Sequence, residues 1–234
     1  MISYAQNFED VILERFFKDK CDGFYVDIGA MDPVEHSVTK HFYDKGWKGV
    51  NIEPNPIAFK KLNEQRTRDL NLQIAVSNIT GKISFNAFQK NNVDTGLGLS
   101  STKNIDYSDI PNVESEFFVP IEVDCITLDE LHRRYNIPKD YDFLKIDVEG
   151  AEYDTLSVAT FENYKPKIII VEATLPLTQI TNYDQWEHFI LNAGYEFVYF
   201  DGLNRLFISD IGDFIQWFII IVAIMLLIIT GALM

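Results

Sequence analysis

Carboxylates stand directly after several apolar runs of this sequence. The runs FYV, VNI, FLKI and IIIV are followed by Asp27, Glu53, Asp147 and Glu172, and Glu149 lies two residues beyond Asp147. Carboxylates can accept hydrogen bonds from hydroxyl groups, hold cations or take up a proton. If these runs are neighbouring parallel strands, their carboxyl ends meet at one edge of the sheet, which is where open α/β sheets bind ligands.

The stretch from Phe24 to Pro56 predicts how the first two acids are positioned. It reads as a strand, a turn at Gly29, a helix over Ser37–Lys45 and a second strand that ends at Glu53. Glycine allows a sharp turn because it has no Cβ, and the helix has apolar residues at core-facing spacing. Such a βαβ unit places Asp27 and Glu53 at the C-terminal edge of a parallel sheet.

The turn between these two strands indicates the class of cofactor. A dinucleotide site needs G-x-G-x-x-G to bring the backbone close to a pyrophosphate, whereas this turn, DIGAMD, has one glycine and two acids. Carboxylates repel a pyrophosphate but suit the positively charged amino acid end and the ribose diol of S-adenosylmethionine. Glu53 is then predicted to accept both ribose hydroxyls. The alternative is that Asp27 only caps the turn and Glu53 is a solvated strand end.

Asp147, Glu149 and Glu172 are the predicted catalytic residues. Methyl transfer from a sulfonium is an in-line displacement, so the protein aligns donor and acceptor hydroxyl and removes one proton. Asp147 or Glu149 is the predicted base, and Glu172 is predicted to orient the acceptor or to help hold a cation. The alternative is that the first two only stabilise a helix start. Three converging acids are compatible with a divalent metal, but nothing defines its ligands, and no metal site is assigned.

The remaining patterns predict the elements that position these acids. Helices are expected over 3–20, 56–65, 128–135, 148–160 and 184–193, and strands over 72–76, 81–88, 117–124, 143–147, 167–172, 195–200 and 205–208. The last two strands flank Asp201-Gly202, a hairpin signal. This order predicts a single doubly wound α/β domain over residues 1–210, mostly parallel, with an antiparallel C-terminal hairpin at one edge. Segments 89–115 and 173–183 are the predicted acceptor loops.

The last 21 residues, Phe214 to Met234, carry no charged side chain. As a helix they would span roughly 30 Å, which matches the core of a bilayer. They predict a single-pass membrane anchor, with a buried terminal helix or a frameshifted tail as alternatives. The acidic N-terminus does not resemble a signal peptide, so the sequence predicts a tail-anchored protein whose catalytic domain lies in the cytoplasm.

Charge and cysteine content limit the partners. With 20 basic and 35 acidic residues the formal charge is −15, and such a chain is not expected to bind nucleic acid, which needs a basic face. Cys21 and Cys125 offer neither a disulfide framework nor metal-ligand spacing, which favours a reducing compartment.

Several of these motifs, in this order, resemble the FkbM-type methyltransferases. The similar stretches are SYAQNFEDVIL, FYVDIGA, SVTKHFYDKGWKGVNIEPNP, AVSN-x-x-GKISF and LKIDVEGAE, within residues 3–209. The resemblance implies a class I, S-adenosylmethionine-dependent O-methyltransferase with a Rossmann-like seven-stranded sheet whose final strand is reversed. The cofactor-binding residues that it implies are Asp27, Gly29 and Ala30 in the first motif, Glu53, Pro54 and Asn55 at the ribose, and Ala75, Val76 and Ser77 beside the adenine.

The leading hypothesis is therefore an S-adenosylmethionine-dependent O-methyltransferase. Its acceptor is predicted to be a hydroxyl of a sugar, a glycan, a lipid-linked saccharide or another small molecule. Two alternatives stay open: a nicotinamide-dependent sugar-nucleotide reductase, against which the missing glycine-rich fingerprint speaks, and a catalytically inactive membrane adaptor with the same fold.

Overall fold

The computed structural model describes residues 1–18, 20–88, 100–103 and 117–210. Its helices are α1 (Glu9–Phe16), α2 (Lys40–Asp44), α3 (Pro56–Gln65), α4 (Leu128–Arg134), α5 (Glu152–Leu156) and α6 (Glu187–Asn192), with a 3₁₀ turn at Tyr183–Gln185. Its strands are β1 (Phe24–Ile28), β2 (Lys48–Ile52), β3 (Leu70–Leu72), β4 (Ala75–Val76), β5 (Gly81–Phe88), β6 (Phe118–Ile126), β7 (Phe143–Ile146), β8 (Ile168–Glu172), β9 (Glu196–Phe200) and β10 (Asn204–Ile208).

Seven of these strands form the central sheet, in the order β3-β2-β1-β7-β8-β10-β9. Neighbours from β3 to β8 pair in parallel, and β10 runs antiparallel to both β8 and β9. The mostly parallel sheet and the antiparallel C-terminal hairpin are therefore confirmed. One detail differs: the reversed strand β10 lies inside the sheet, and β9 forms the edge.

Both faces of the central sheet are covered. Alternate residues of a strand point to opposite faces, and in β7 Leu144 and Ile146 pack with one buried cluster while Phe143 packs with the other. The first cluster includes Leu131 of α4, and the second includes Leu13 of α1. Because helices pack on both faces, the doubly wound arrangement is confirmed.

A second sheet, of three strands in the order β4-β6-β5, was not predicted. The single strand expected over 72–76 is wrong, because the chain divides into β3, which joins the central sheet, and β4, which pairs with β6. Periodicity cannot separate these two strands, since both ends of the run are apolar and each is shorter than a typical strand.

Several helices are shorter than predicted. α1 begins only at Glu9, since Phe8 is left-handed (φ 65°) and Asp10 instead accepts bonds from Ser3 and the Tyr4 backbone N–H. The helix expected over 37–45 is reduced to α2, and that expected over 148–160 is reduced to α5. The helix expected over 184–193 divides into the 3₁₀ turn and α6.

Two predicted segments lie outside the described residues. They are the tail Phe214–Met234 and most of the acceptor loop 89–115, of which residues 100–103 are described. None of the helices in the described ranges is long and apolar enough to cross a membrane. The membrane anchor therefore stays a prediction of the sequence.

Candidate functional site

A cavity of about 320 Å³ opens at the carboxyl ends of β1, β2, β7 and β8. Gly29, Glu53, Asp147 and Glu172, which follow or end these strands, all line it. The sheet order makes β1 the neighbour of both β2 and β7, and β7 the neighbour of β8. The site thus arises where adjacent parallel strands end together, as the sequence predicts.

The turn after β1 is held close to two other strands. The backbone N–H groups of Gly29 and Ala30 donate to the Ile52 carbonyl at 3.0 and 3.1 Å. Gly29 has φ +80°, and a Cβ there would lie 1.7 Å from the carbonyl oxygen of Asp147. Only glycine fits a position that combines a left-handed backbone with so close an approach.

Glu53 lies at the end of β2 and orders the loops on both sides of it. One carboxylate oxygen accepts from the Met31 backbone N–H and the other from the Asn55 backbone N–H, each at 2.8 Å. Glu53 also lines the cavity, where a carboxylate can accept hydrogen bonds from hydroxyl groups.

The other predicted cofactor residues divide into two groups. Ala30, Pro54, Asn55, Ala75 and Val76 line the cavity together with Gly29 and Glu53, whereas Asp27 and Ser77 do not. Asn55 also caps α3, since its side-chain oxygen accepts from the Ile57 N–H at 2.9 Å. Most of the sequence-predicted set is therefore brought together in one place.

Asp27 is buried behind the cavity wall beside Lys145. One carboxylate oxygen accepts from the Thr39 hydroxyl at 3.0 Å, and the other lies 3.4 Å from the Lys145 ammonium. That ammonium also lies 3.3 Å from Asp147 and donates to the Gly29 carbonyl at 2.7 Å. Burial alone lowers the pKa of Lys145, but the charges of Asp147 and Asp27 outweigh it and raise the pKa above its usual value. Lys145 therefore stays charged and joins β1 to β7.

The three predicted catalytic acids converge. Asp147, Glu149 and Glu172 each offer a carboxylate oxygen within 4.8 Å of the other two. Burial, and then the charges of Asp147 and Glu149, raise the pKa of Glu172 well above its usual range. Burial and the charges of Asp147 and Glu152 do the same for the pKa of Glu149. Carboxyl groups whose pKa is shifted by burial and by neighbouring charges in a cavity are typical of functional sites.

Glu152 lies behind this cluster and is fully buried. One of its oxygens accepts from the backbone N–H groups of Val148 and Gly150, and the other from the side-chain amide of Asn182. Burial raises its pKa from 4.5 to about 7, although these backbone hydrogen bonds oppose the shift.

Glu152→Gln is expected to flatten the pH dependence of stability. The wild-type folded state binds the Glu152 proton more tightly than the unfolded state, so its contribution is full below pH 4.5 and is lost as pH rises through 7. That loss is on the order of 3 kcal/mol. Glutamine is neutral throughout, and Asn182, whose side-chain oxygen has no hydrogen-bond partner, can turn its amide over to accept from it.

Urea unfolding across this pH interval measures the difference between wild type and Glu152→Gln, with Glu162→Gln, at an exposed position, as the control. A stability difference that stays constant with pH would contradict the assignment.

Backbone strain is concentrated at the cavity. Among the described residues, seven non-glycine positions have positive φ, and four of them line the cavity: Met31, His36, Glu149 and Leu177. Such conformations cost on the order of 1–3 kcal/mol each and cluster at functional sites. This supports the cavity as the functional site on grounds independent of the acids.

Sequence reasoning missed several residues of this region. Gln6 and Glu9 of the N-terminal segment line the cavity, and Glu9 accepts from the Asn204 amide at 2.6 Å. Burial raises the pKa of Glu9 to about 6. Lys145 was detectable, because it lies two residues before Asp147 in a strand and therefore on the same face. No local pattern in the sequence indicates that Gln6 and Glu9 line the cavity.

The mostly parallel, seven-stranded sheet with one reversed strand is the arrangement expected for class I methyltransferases, and the cavity occupies its ligand-binding edge. The sequence profile of the Methyltransferase FkbM domain matches residues 27–197. Because this covers well over half of the chain, the protein belongs to the FkbM methyltransferase family and is a methyltransferase.

Comparison with other proteins adds distant structural likenesses. A TehB-like SAM-dependent methyltransferase from Corynebacterium glutamicum is 8% identical, with a TM-score of 0.44 over 86% of this chain and 88% of that one. The fibrillarin pre-rRNA processing protein of Methanococcus jannaschii is 12% identical, with a TM-score of 0.40 over 81% and 67%. Likenesses this remote carry no information about substrate. No curated protein matches the sequence.

Proposed function

We propose that this methyltransferase transfers the methyl group of S-adenosylmethionine to a hydroxyl of a sugar, a glycan or a lipid-linked saccharide. The observation that carries the proposal is the group of residues at the carboxyl edge of the sheet: the acids Glu53, Asp147, Glu149 and Glu172 and the turn at Gly29 line one cavity. The missing dinucleotide fingerprint and the family both disfavour the nicotinamide-dependent reductase.

The residues of the cavity fit this cofactor. S-adenosylmethionine carries a positive sulfonium and ammonium, a ribose diol and an adenine, and supplies an electrophilic methyl group. Glu53 lines the cavity and offers a carboxylate to the diol, and Ala75 and Val76 offer an apolar wall to the adenine. The excess of carboxylates over Lys145 provides the negative potential that a cationic ligand needs.

The acids on the β7 and β8 side are assigned to the acceptor. Glu149 and Asp147 line the cavity where a hydroxyl proton can be taken up by a carboxylate. Glu172 would orient the hydroxyl. The cavity is also lined by Gln6, His36, Ser100, Thr102, Thr178 and Asn204. Such polar groups suit an acceptor with many hydroxyls.

The direct test combines binding with turnover. Calorimetry with S-adenosylmethionine should show a single saturable site. Incubation with cofactor and a panel of saccharides should give products heavier by one CH₂ unit in mass spectrometry. Tight binding of NADH in place of S-adenosylmethionine would overturn the proposal.

Glu53→Gln is expected to weaken S-adenosylmethionine binding by about 10- to 100-fold, because hydrogen bonds to a charged group contribute about 1.5–3 kcal/mol. The glutamine oxygen can still accept one of the two backbone N–H bonds, which limits damage to the loops. Glu64→Gln, at an exposed position on α3, is the matched control. Calorimetry measures the S-adenosylmethionine affinity of wild type, Glu53→Gln and Glu64→Gln. An affinity of Glu53→Gln equal to that of wild type would remove Glu53 from the site.

A further inference from the structure

The converging carboxylates have the geometry of a cation site. Asp147, Glu149 and Glu172 come from the loop after β7 and the end of β8, and each offers one oxygen within 4.8 Å of the other two. Oxygens on opposite sides of a bound ion lie about 4 Å apart for Mg²⁺ and about 5 Å apart for Ca²⁺, twice their usual ligand distances. One ion can therefore contact all three with only small side-chain movements.

The buried state of Glu172 is a second and independent indication. Its side chain is 7% exposed, it lines the cavity, and its Oε2 atom is buried with no hydrogen-bond partner. An unpaired carboxylate oxygen in such a place is costly unless a ligand contacts it.

Lys145 does not balance the charge of this cluster. It lies 3.3 Å from the Oδ2 atom of Asp147, but its other contacts are to Asp27 and the Gly29 carbonyl, on the side of β1. Among the described residues, no ion pair to a basic side chain is formed by Glu149 or Glu172. Two of the three acids thus have no basic partner among the described residues.

We propose that Asp147, Glu149 and Glu172 bind one divalent cation of the oxygen-preferring class, such as Mg²⁺, Mn²⁺ or Ca²⁺. An all-carboxylate ligand set selects these hard cations over Zn²⁺ or Cu²⁺, which prefer nitrogen and sulfur ligands. The bound ion would occupy the acceptor side of the cavity. This site does not depend on the methyl-transfer proposal, since cation binding is measured without S-adenosylmethionine.

The test uses Mn²⁺ as the probe. After treatment with EDTA and its removal, the full chain is titrated with Mn²⁺, and free Mn²⁺ is followed by electron paramagnetic resonance. We expect one saturable site per chain. Glu172→Gln and Asp147→Asn should each weaken it by at least about 10-fold, because the affinity of oxygen sites follows ligand charge and number. Glu122→Gln, in the exposed acid pair of β6, should leave it unchanged.

Thermal unfolding without metal shows whether each variant is folded. Glu172→Gln replaces a buried carboxyl group with a neutral amide of similar size, so it is expected to fold. If Glu172→Gln does not fold, Asp147→Asn provides the same test at a half-buried residue. Absence of saturable Mn²⁺ binding would overturn the proposal, as would equal binding by wild type and both site variants, which would indicate ions held by the acidic surface. Reduced S-adenosylmethionine affinity in Glu172→Gln without any Mn²⁺ site would also overturn it, by assigning the acids to the cofactor.

Discussion

Gly29→Ala is expected to destabilise the protein by on the order of 4 kcal/mol or more and to abolish measurable S-adenosylmethionine binding. The new Cβ would lie 1.7 Å from the carbonyl oxygen of Asp147, and the residue would also have to keep φ +80°. The Gly29 backbone cannot shift away freely, because its N–H donates to the Ile52 carbonyl and its own carbonyl accepts from the Lys145 ammonium. The measurements are urea unfolding, followed through the buried Trp47 and Trp186, and calorimetry.

Gly46→Ala separates the two causes of this loss. Gly46 also has positive φ (+97°), but nothing lies within 4 Å of a Cβ placed there. Its replacement should cost only the left-handed backbone, about 1–2 kcal/mol, and should leave cofactor binding intact. Equal destabilisation by the two changes would show that the approach of Gly29 to Asp147 is not what makes glycine necessary.

Lys145→Met is expected to lower the free energy of unfolding by about 3–5 kcal/mol, the usual result of removing one partner from a buried ion pair. It leaves Asp27 buried with no cation beside it and removes the bond to the Gly29 carbonyl. Urea unfolding at neutral pH measures the loss. Because Asp27 carries the uncompensated charge, adding Asp27→Asn to the variant should restore part of the stability.

Lys167→Met provides the comparison for this experiment. Lys167 lies 3.6 Å from Asp142 but is 45% exposed, and an ion pair of this kind contributes at most about 1 kcal/mol. If Lys145→Met were no more harmful than Lys167→Met, the link between β1 and β7 would not depend on the buried ammonium. A double variant no more stable than Lys145→Met would show that Asp27 is not the group left unpaired.

Much of the fold could be predicted from local pattern. α3 was predicted with its observed bounds, because Pro56 at its first position is a strong signal for a helix start. β5 was also predicted with its observed bounds. The three-stranded sheet could not be predicted, because β4 and β6 are 41 residues apart and their pairing, Ala75 with Cys125 and Val76 with Ile126, leaves no mark on either segment.

The candidate site divides in the same way. Glu53, Asp147 and Glu172 stand at the carboxyl ends of parallel strands in one sheet, so local sequence and one topological rule suffice to bring them to the same edge. Asp27 was expected at a strand end too, but it lies inside β1, one residue before the end, and its carboxylate contacts Thr39 and Lys145 behind the wall. The direction of a strand-end side chain depends on strand parity and on the loop packed against it, and neither is a local property.

For this protein, the sequence alone determined the family, the parallel βαβ core and the identity of the acids at its ligand-binding edge, because strand ends and turn residues are encoded locally. Only the tertiary structure decided which acids line the cavity and that Asp147, Glu149 and Glu172 converge on one point. It also decided that Lys145 lies between Asp27 and Asp147. The physical reason is that burial and charge–charge distances arise between segments far apart in the chain. Those two quantities distinguish the buried ion pair of Lys145 from the proposed cation site.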